Sequence, residues 1–228
     1  MGPITSAGTG WEDLAHSGIR EREQGSVKTA VKLLNDALEI APEQEDRMFI
    51  LNHLGLAYFH DGDYTSAVDK WNKVLTVSNV QGDPFLNAKA VALRNLSRKE
   101  LCETEKDYKE AVSKANEARE MAKELKRPDL PWFTHGLFSA NYAYMKILKN
   151  VDMGVLKKLV GSEKEELKKV WKTAPKLERN VWLGALLMDY AVVYDKVSKP
   201  LLKIARFFSR AVKLRRREEQ ITKLINEI

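Results

Sequence analysis

The 228-residue chain has a single cysteine, Cys102. A lone thiol rules out an internal disulfide framework, and its isolation predicts a reducing, cytoplasmic setting. Long apolar runs are also missing. The longest, VWLGALLMDYAVVY at 181–194, has 14 residues and contains Asp189, short of the roughly 20 needed to cross a bilayer; it reads as a buried helix, with no transmembrane segment expected. The opening MGPITSAGTG lacks the charged and apolar regions of a secretory signal. Histidines number four, at 16, 53, 60 and 135, and no glycine-rich phosphate loop, cysteine pair or His-Glu-x-x-His helix accompanies them. His53 and His60 stand two helical turns apart, about 10 Å, too far to share a metal without other ligands. These absences predict a chain with no catalytic residue, no metal and no cofactor, and so not an enzyme.

What is present is helical and charged. Apolar residues make up 44% and charged residues 31%, the balance of a helical protein rich in Lys and Glu. The net charge of +6 hides an asymmetry: residues 151–228 hold 18 Lys and Arg against 10 Asp and Glu, whereas residues 1–150 carry a net −2. The two halves are therefore expected to face different partners, or one face of the C-terminal half does.

The first half repeats. A shift of 37 residues lays Gly18 on Gly55, Gly25 on Gly62, Ala30 on Ala67 and Leu34 on Trp71. A shift of 44 lays Asp63 on Asp107, Tyr64 on Tyr108 and Ala67 on Ala111. Each unit follows one logic. A first helix carries Leu51, Leu54 and Tyr58 at helical spacing, and Gly55 clears a side chain where a second helix must approach. Gly62 supplies the left-handed residue that ends it, and Ala67, Trp71, Val74 and Leu75 form the apolar face of the second helix.

These positions resemble the tetratricopeptide repeat (TPR) pattern: Leu51, Leu54-Gly55, Tyr58, Ala67 and Trp71 match it, with Asn79 where proline is usual. The earlier copy matches at Leu14, Gly18, Ala30, Leu34, Ala37 and Pro42, while Ser17 and Glu21 depart from it. The resemblance implies an all-α fold of antiparallel helical hairpins stacked into a short right-handed superhelix, with repeats over 11–126 and a C-terminal helical region over 127–228 that continues or caps it. It implies a non-enzymatic scaffold or adaptor that binds another protein or peptide in a groove lined by the first helices. The residues expected there are His16, Phe49, Asn52, His53, Leu56, Phe59 and His60; His16 and His53 superimpose under the 37-residue shift. Relatives that grip acidic chaperone tails use Lys and Asn where this chain has Ala15, Ile19 and His53, which argues against that ligand.

Beyond residue 126 the motif fades and helices continue. Asp83-Pro84 and Leu130-Pro131 read as helix starts, the first helix of the third repeat looks longer than the family's, and 131–150 is amphipathic with Phe133, Leu137, Ala140 and Tyr144 on one side. Ser162 with Glu165 reads as a capping box opening a helix there. Helices from about 177 to 196 and from 200 onward bring the number to roughly ten, with no strand. The last carries Lys196, Lys199, Lys203, Arg206, Arg210, Lys213 and Arg217 at spacings of three and four, one basic stripe in a run, 196–217, that has no acidic residue. Leu201, Ala205, Phe208 and Val212 form its apolar side, and Phe207 with Phe208 is expected in the core. The stripe suits solvent, an acidic protein surface, or RNA or another anionic surface, the last being the alternative function.

Overall fold

The computed structural model describes residues 10–77, 82–194 and 198–211, together with 218, 219, 221, 222, 225 and 226. Among these are ten α-helices and one short 3-10 helix, with no strand. The chain divides into two compact units, one up to Val80 and one from Gln81.

The first unit is two helical hairpins. In the first, α1 (Trp11–Gln24) precedes α2 (Val27–Ile40); in the second, α3 (Gln44–Asp61) precedes α4 (Tyr64–Leu75). The sequence repeat recurs bond for bond at the turns. Gly25 and Gly62 sit at φ 93° and 86°, where a side chain would strain the backbone. The amides of Gly25 and Ser26 donate to the carbonyls of Arg22 and Glu21, and those of Gly62 and Asp63 donate to Phe59 and Tyr58. Both turns thus satisfy the last carbonyls of the preceding helix in the same way. The Asp63 side chain then caps α4 by accepting from the Ser66 amide at 2.9 Å, a bond that holds its carboxyl below the usual range.

Close approach within each hairpin depends on glycine. A Cβ at Gly18 would lie 2.8 Å from Leu34 Cγ, and one at Gly55 would lie 2.3 Å from the Trp71 indole nitrogen. Ala15, Leu34, Ala37, Ile50, Leu54 and Ala57 close the core of this unit.

The second unit begins with a third hairpin, α5 (Asp83–Leu96) and α6 (Glu105–Glu124). The expected long first helix is absent: α5 has 14 residues against 18 in α3. The added chain length forms a turn and the 3-10 helix Lys99–Leu101. Thr104 and Asp107 then make a reciprocal capping box at the start of α6. Ala111, Ala115, Ala118 and Ala122 are all buried on α6, a stripe without bulk that lets α5 and α7 pack closely on it.

Next come α7 (Leu130–Ile147), α8 (Met153–Val170), α9 (Lys176–Val193) and α10 (Ser198–Ala211). Helices α5 and α7 start at the two prolines as expected, and Phe133, Leu137 and Ala140 are buried. The expected helix start at Ser162 is wrong. Helix α8 runs unbroken through that residue, and its cap is Asp152, whose carboxylate accepts from the amides of Gly154 and Val155. Phe138, Leu156, Val160, Leu167, Trp182 and Leu186 form the core where α7, α8 and α9 meet.

Candidate functional site

The residues expected to line a groove lie on α1 and α3, and the structure separates them into three groups. The first is a cluster. Phe49 stands edge-on to His53 with ring centroids 4.6 Å apart, and His16 on α1 approaches Phe49 at 6.5 Å, also edge-on. Phe49 is 38% exposed, so its ring is held by two imidazoles and still meets solvent.

His53 is itself pinned from α1. Arg22 is buried, and its Nη1 lies 3.1 Å from His53 Nδ1. A guanidinium has only donors, so His53 Nδ1 accepts and its proton resides on Nε2. Burial, then the nearby Arg22 charge and His16, push the His53 pKa down from 6.5 to about 3. This imidazole stays neutral across the ordinary pH range and offers one N–H donor.

The second group packs toward α4. Phe59 lies 6.2 Å from His60, 5.2 Å from Tyr64 and 6.1 Å from Trp71, centroid to centroid, in tilted contacts. Leu56, Phe59 and His60 are each half-buried. The third group is Asn52 alone, and here the expectation of a groove contact is corrected. Asn52 is 4% exposed, and its backbone carbonyl accepts from the Trp71 indole N–H at 3.3 Å. It belongs to the hairpin interior.

The basic stripe is described only in part. Lys196, Lys213 and Arg217 lie outside the described residues, as does Val212. Lys199, Lys203 and Arg210 are exposed on α10 and Arg206 is half-buried. Arg210 Nε donates to Glu218 at 2.9 Å, so one cation of the stripe is matched within the chain by an acid just past the basic run. Helix α10 seats Leu202 and Ala205 against Ala191 and Ile221, with Leu201 at the margin. Phe207 is not core as expected: it is 68% exposed, while Phe208 is half-buried.

Sequence reasoning missed two polar centres in the second unit. In one, Arg119 of α6 donates to the Thr134 hydroxyl at 2.8 Å and to Glu166 at 2.7 Å, and the Thr134 hydroxyl donates to Glu166. In the other, His135 of α7, Glu163 of α8 and Asp189 of α9 bring their ligating atoms within 4.8 Å of one another. The one sequence signal for the latter was Asp189, a carboxylate inside the longest apolar run, which cannot be buried there without a partner. Arg22 was missed as well, since it occupies a position of the first repeat that departs from the second. Beside these centres a cleft of about 510 Å³ is lined by Asn87, Arg127, Asp129, Trp132, Glu178 and Trp182. Burial, with a contribution from Asp129, raises the Glu178 pKa there. Among the described residues no helix is long and apolar enough to cross a membrane.

Comparison with known proteins agrees with this architecture. Residues 46–124 match the family model for the tetratricopeptide repeat. No curated protein matches the chain. Two crystal structures of nearly identical TPR-like repeats, from a protein of Podosopora anserina described as a kinesin light chain, are similar in fold. The first, a point variant, has 17% identity and a TM-score of 0.52, covering 89% of this chain and 95% of its own. The second has 16% identity and a TM-score of 0.50, covering 88% and 95%. Glycine-cleared hairpins and repeated turn bonds give the chain a TPR-like helical-repeat fold, with a match to the repeat itself over residues 46–124.

Proposed function

We propose that this chain is a non-enzymatic scaffold or adaptor that holds a segment of another protein against the α1 and α3 surface. TPR repeats generally mediate protein–protein interactions, and the observation that carries the reading here is Phe49. It is exposed yet fixed edge-on between His53 and His16. An aromatic already held in one orientation loses little side-chain entropy when a ligand covers it, and anchors of this type dominate interface energetics. The contact set is His16, Phe49 and His53, extended along α3 by Leu56, Phe59 and His60.

A photo-crosslinking amino acid at position 49, with a second at the exposed Lys106 of α6 as control, tests the proposal in a cell extract. A discrete protein captured at 49 and absent at 106 supports it, provided that Phe49→Ala weakens binding of that protein about tenfold or more without lowering the melting temperature. Binding indifferent to Phe49→Ala and His16→Ala in folded protein overturns it.

The exposed Phe207 beside Lys203 and Arg206 favours a second reading, binding of RNA or another anionic surface by α10. Such binding falls steeply with salt, whereas capture at Phe49 responds little. Reversal of Lys199 and Lys203 to Glu abolishes the former and leaves the latter intact.

A further inference from the structure

The cluster of His135, Glu163 and Asp189 differs from the other buried polar groups of the second unit. Helix α8 presents two buried glutamates one turn apart. Glu166 is closed off in a network with Arg119 and Thr134, whereas Glu163, 1% exposed, faces an imidazole and a second carboxylate. The three groups come from three different helices, so their convergence is a property of the packing of α7, α8 and α9 and not of any local motif.

Their chemistry is that of a cation site. One imidazole nitrogen and two carboxylate oxygens, with no sulfur, suit a divalent first-row transition ion; imidazole selects against Mg²⁺ and Ca²⁺, which take oxygen. His135 Nδ1 and Asp189 Oδ2 lie 2.9 Å apart. Two donors at that separation, each about 2.1 Å from a shared ion, subtend about 90° at it, the cis angle of an octahedral site. The hydrogen bond between them therefore already has the length of one coordination edge. To bind an ion, Nδ1 gives up its proton and the ring takes the tautomer with its proton on Nε2; a second proton, where the ring carries one, leaves to the buffer. The third ligand, within 4.8 Å of both, closes by up to about 2 Å to complete a facial set, a shift that a change of glutamate rotamer supplies.

Access and shielding fit the same role. His135 is 13% exposed and Asp189 4%, so the ion enters from the His135 side and is covered on the other. Trp132, one turn before His135, lies 5.5 Å from its ring and lines the neighbouring cleft. Three protein ligands leave further positions for water.

We propose that His135, Glu163 and Asp189 bind one divalent transition-metal ion that ties α7, α8 and α9 together. This stands apart from the reading of the α1 and α3 surface, which lies in the other unit.

The test uses the full chain, stripped with a chelator, titrated with Zn²⁺ by calorimetry and with Co²⁺ by visible absorption. Saturable binding of one Zn²⁺ is expected, together with a Co²⁺ ligand-field spectrum free of any thiolate charge-transfer band. His135→Gln and Glu163→Gln should each weaken Zn²⁺ by about 100-fold or more, since even groups behind the ligands are worth 10–100-fold. Zn²⁺ should raise the melting temperature of the wild type and not of these variants. Absence of saturable binding, equal competition by Mg²⁺, or affinity unchanged in either variant overturns the proposal. If a variant does not fold, the wild-type titrations decide: no saturable Zn²⁺ binding, or a thiolate band in the Co²⁺ spectrum, refutes it.

Discussion

The indole of Trp71 lies across Gly55 and donates to the carbonyl of Asn52 at 3.3 Å. Three residues of α3 and α4 thereby share one interhelical contact, Asn52 through its backbone carbonyl, and the approach of Trp71 leaves no room for a side chain at position 55. A methyl at Gly55 would stand 2.3 Å from the Trp71 indole nitrogen, with a rigid ring that cannot bend aside.

Gly55→Ala should therefore destabilise the first unit. The helix gains up to about 1 kcal/mol in propensity, but overpacking of a closed core costs about 1–3 kcal/mol or more, and displacing Trp71 also breaks its hydrogen bond. A net loss of about 2 kcal/mol is expected in urea unfolding. Gly161→Ala in α8 is the control: nothing lies within 4 Å of its Cβ position, so propensity alone acts and stability should rise by up to about 1 kcal/mol.

Protonation of His53 opposes folding. Its pKa is about 3 in the folded protein against 6.5 as a free group. Between those values the unfolded chain binds more protons, so stability is intact above pH 6.5 and falls as pH drops toward 3. The slope from this one group is at most about 1.4 kcal/mol per pH unit. In His53→Gln that contribution should vanish from the pH dependence of thermal unfolding. Removing the neighbouring charge in Arg22→Gln should raise the His53 pKa, read from its imidazole resonances in an NMR titration.

Helix α8 separates a sequence reading from a structural one. Ser162 followed by Glu165 has the spacing of a capping box, yet Asp152 makes the cap. Asp152→Ala should cost about 1 kcal/mol, whereas Ser162→Ala, in mid-helix, should be neutral or slightly stabilising. The reverse ranking in denaturant melts would place the helix start at Ser162.

The hairpins were legible because their determinants are local. Gly25, Gly62, Gly18 and Gly55 each act on residues within one repeat, and a shift of the sequence against itself exposes them. The cluster at Phe49 was legible in part, since helical spacing puts His53 one turn from it, but spacing alone cannot tell the buried Asn52 from the exposed Phe49. What holds His53 neutral is burial first and then Arg22, on another helix, 31 positions away. The meeting of His135 with Asp189 spans 54 positions and depends on how the helices pack; Asp189 inside an apolar run signals that a partner is needed but not which one. Phe207 misled for the opposite reason: an aromatic next to a basic residue has the composition of core and the exposure of a surface.

The Arg119 network makes a last prediction of a different kind. Its guanidinium reaches Thr134 and Glu166 from α6 with both charged side chains largely out of solvent. Removing Arg119 leaves Glu166 buried without its charge partner, which costs about 3–5 kcal/mol. Removing Glu166 costs less, since Arg119 keeps the half-exposed Glu120 at 3.0 Å. Replacing both with apolar groups of similar volume is often neutral. Arg119→Met alone and Glu166→Leu alone should therefore each unfold at lower urea, the former markedly. The double variant should recover most of the loss, leaving only the Thr134 hydroxyl to find water or a backbone carbonyl. A double-mutant cycle reads the coupling directly. If the single changes prove mild and additive, the pair is solvated and contributes little; strong coupling with recovery in the double variant means that α6, α7 and α8 are aligned by a buried charge pair whose role is to fix their register.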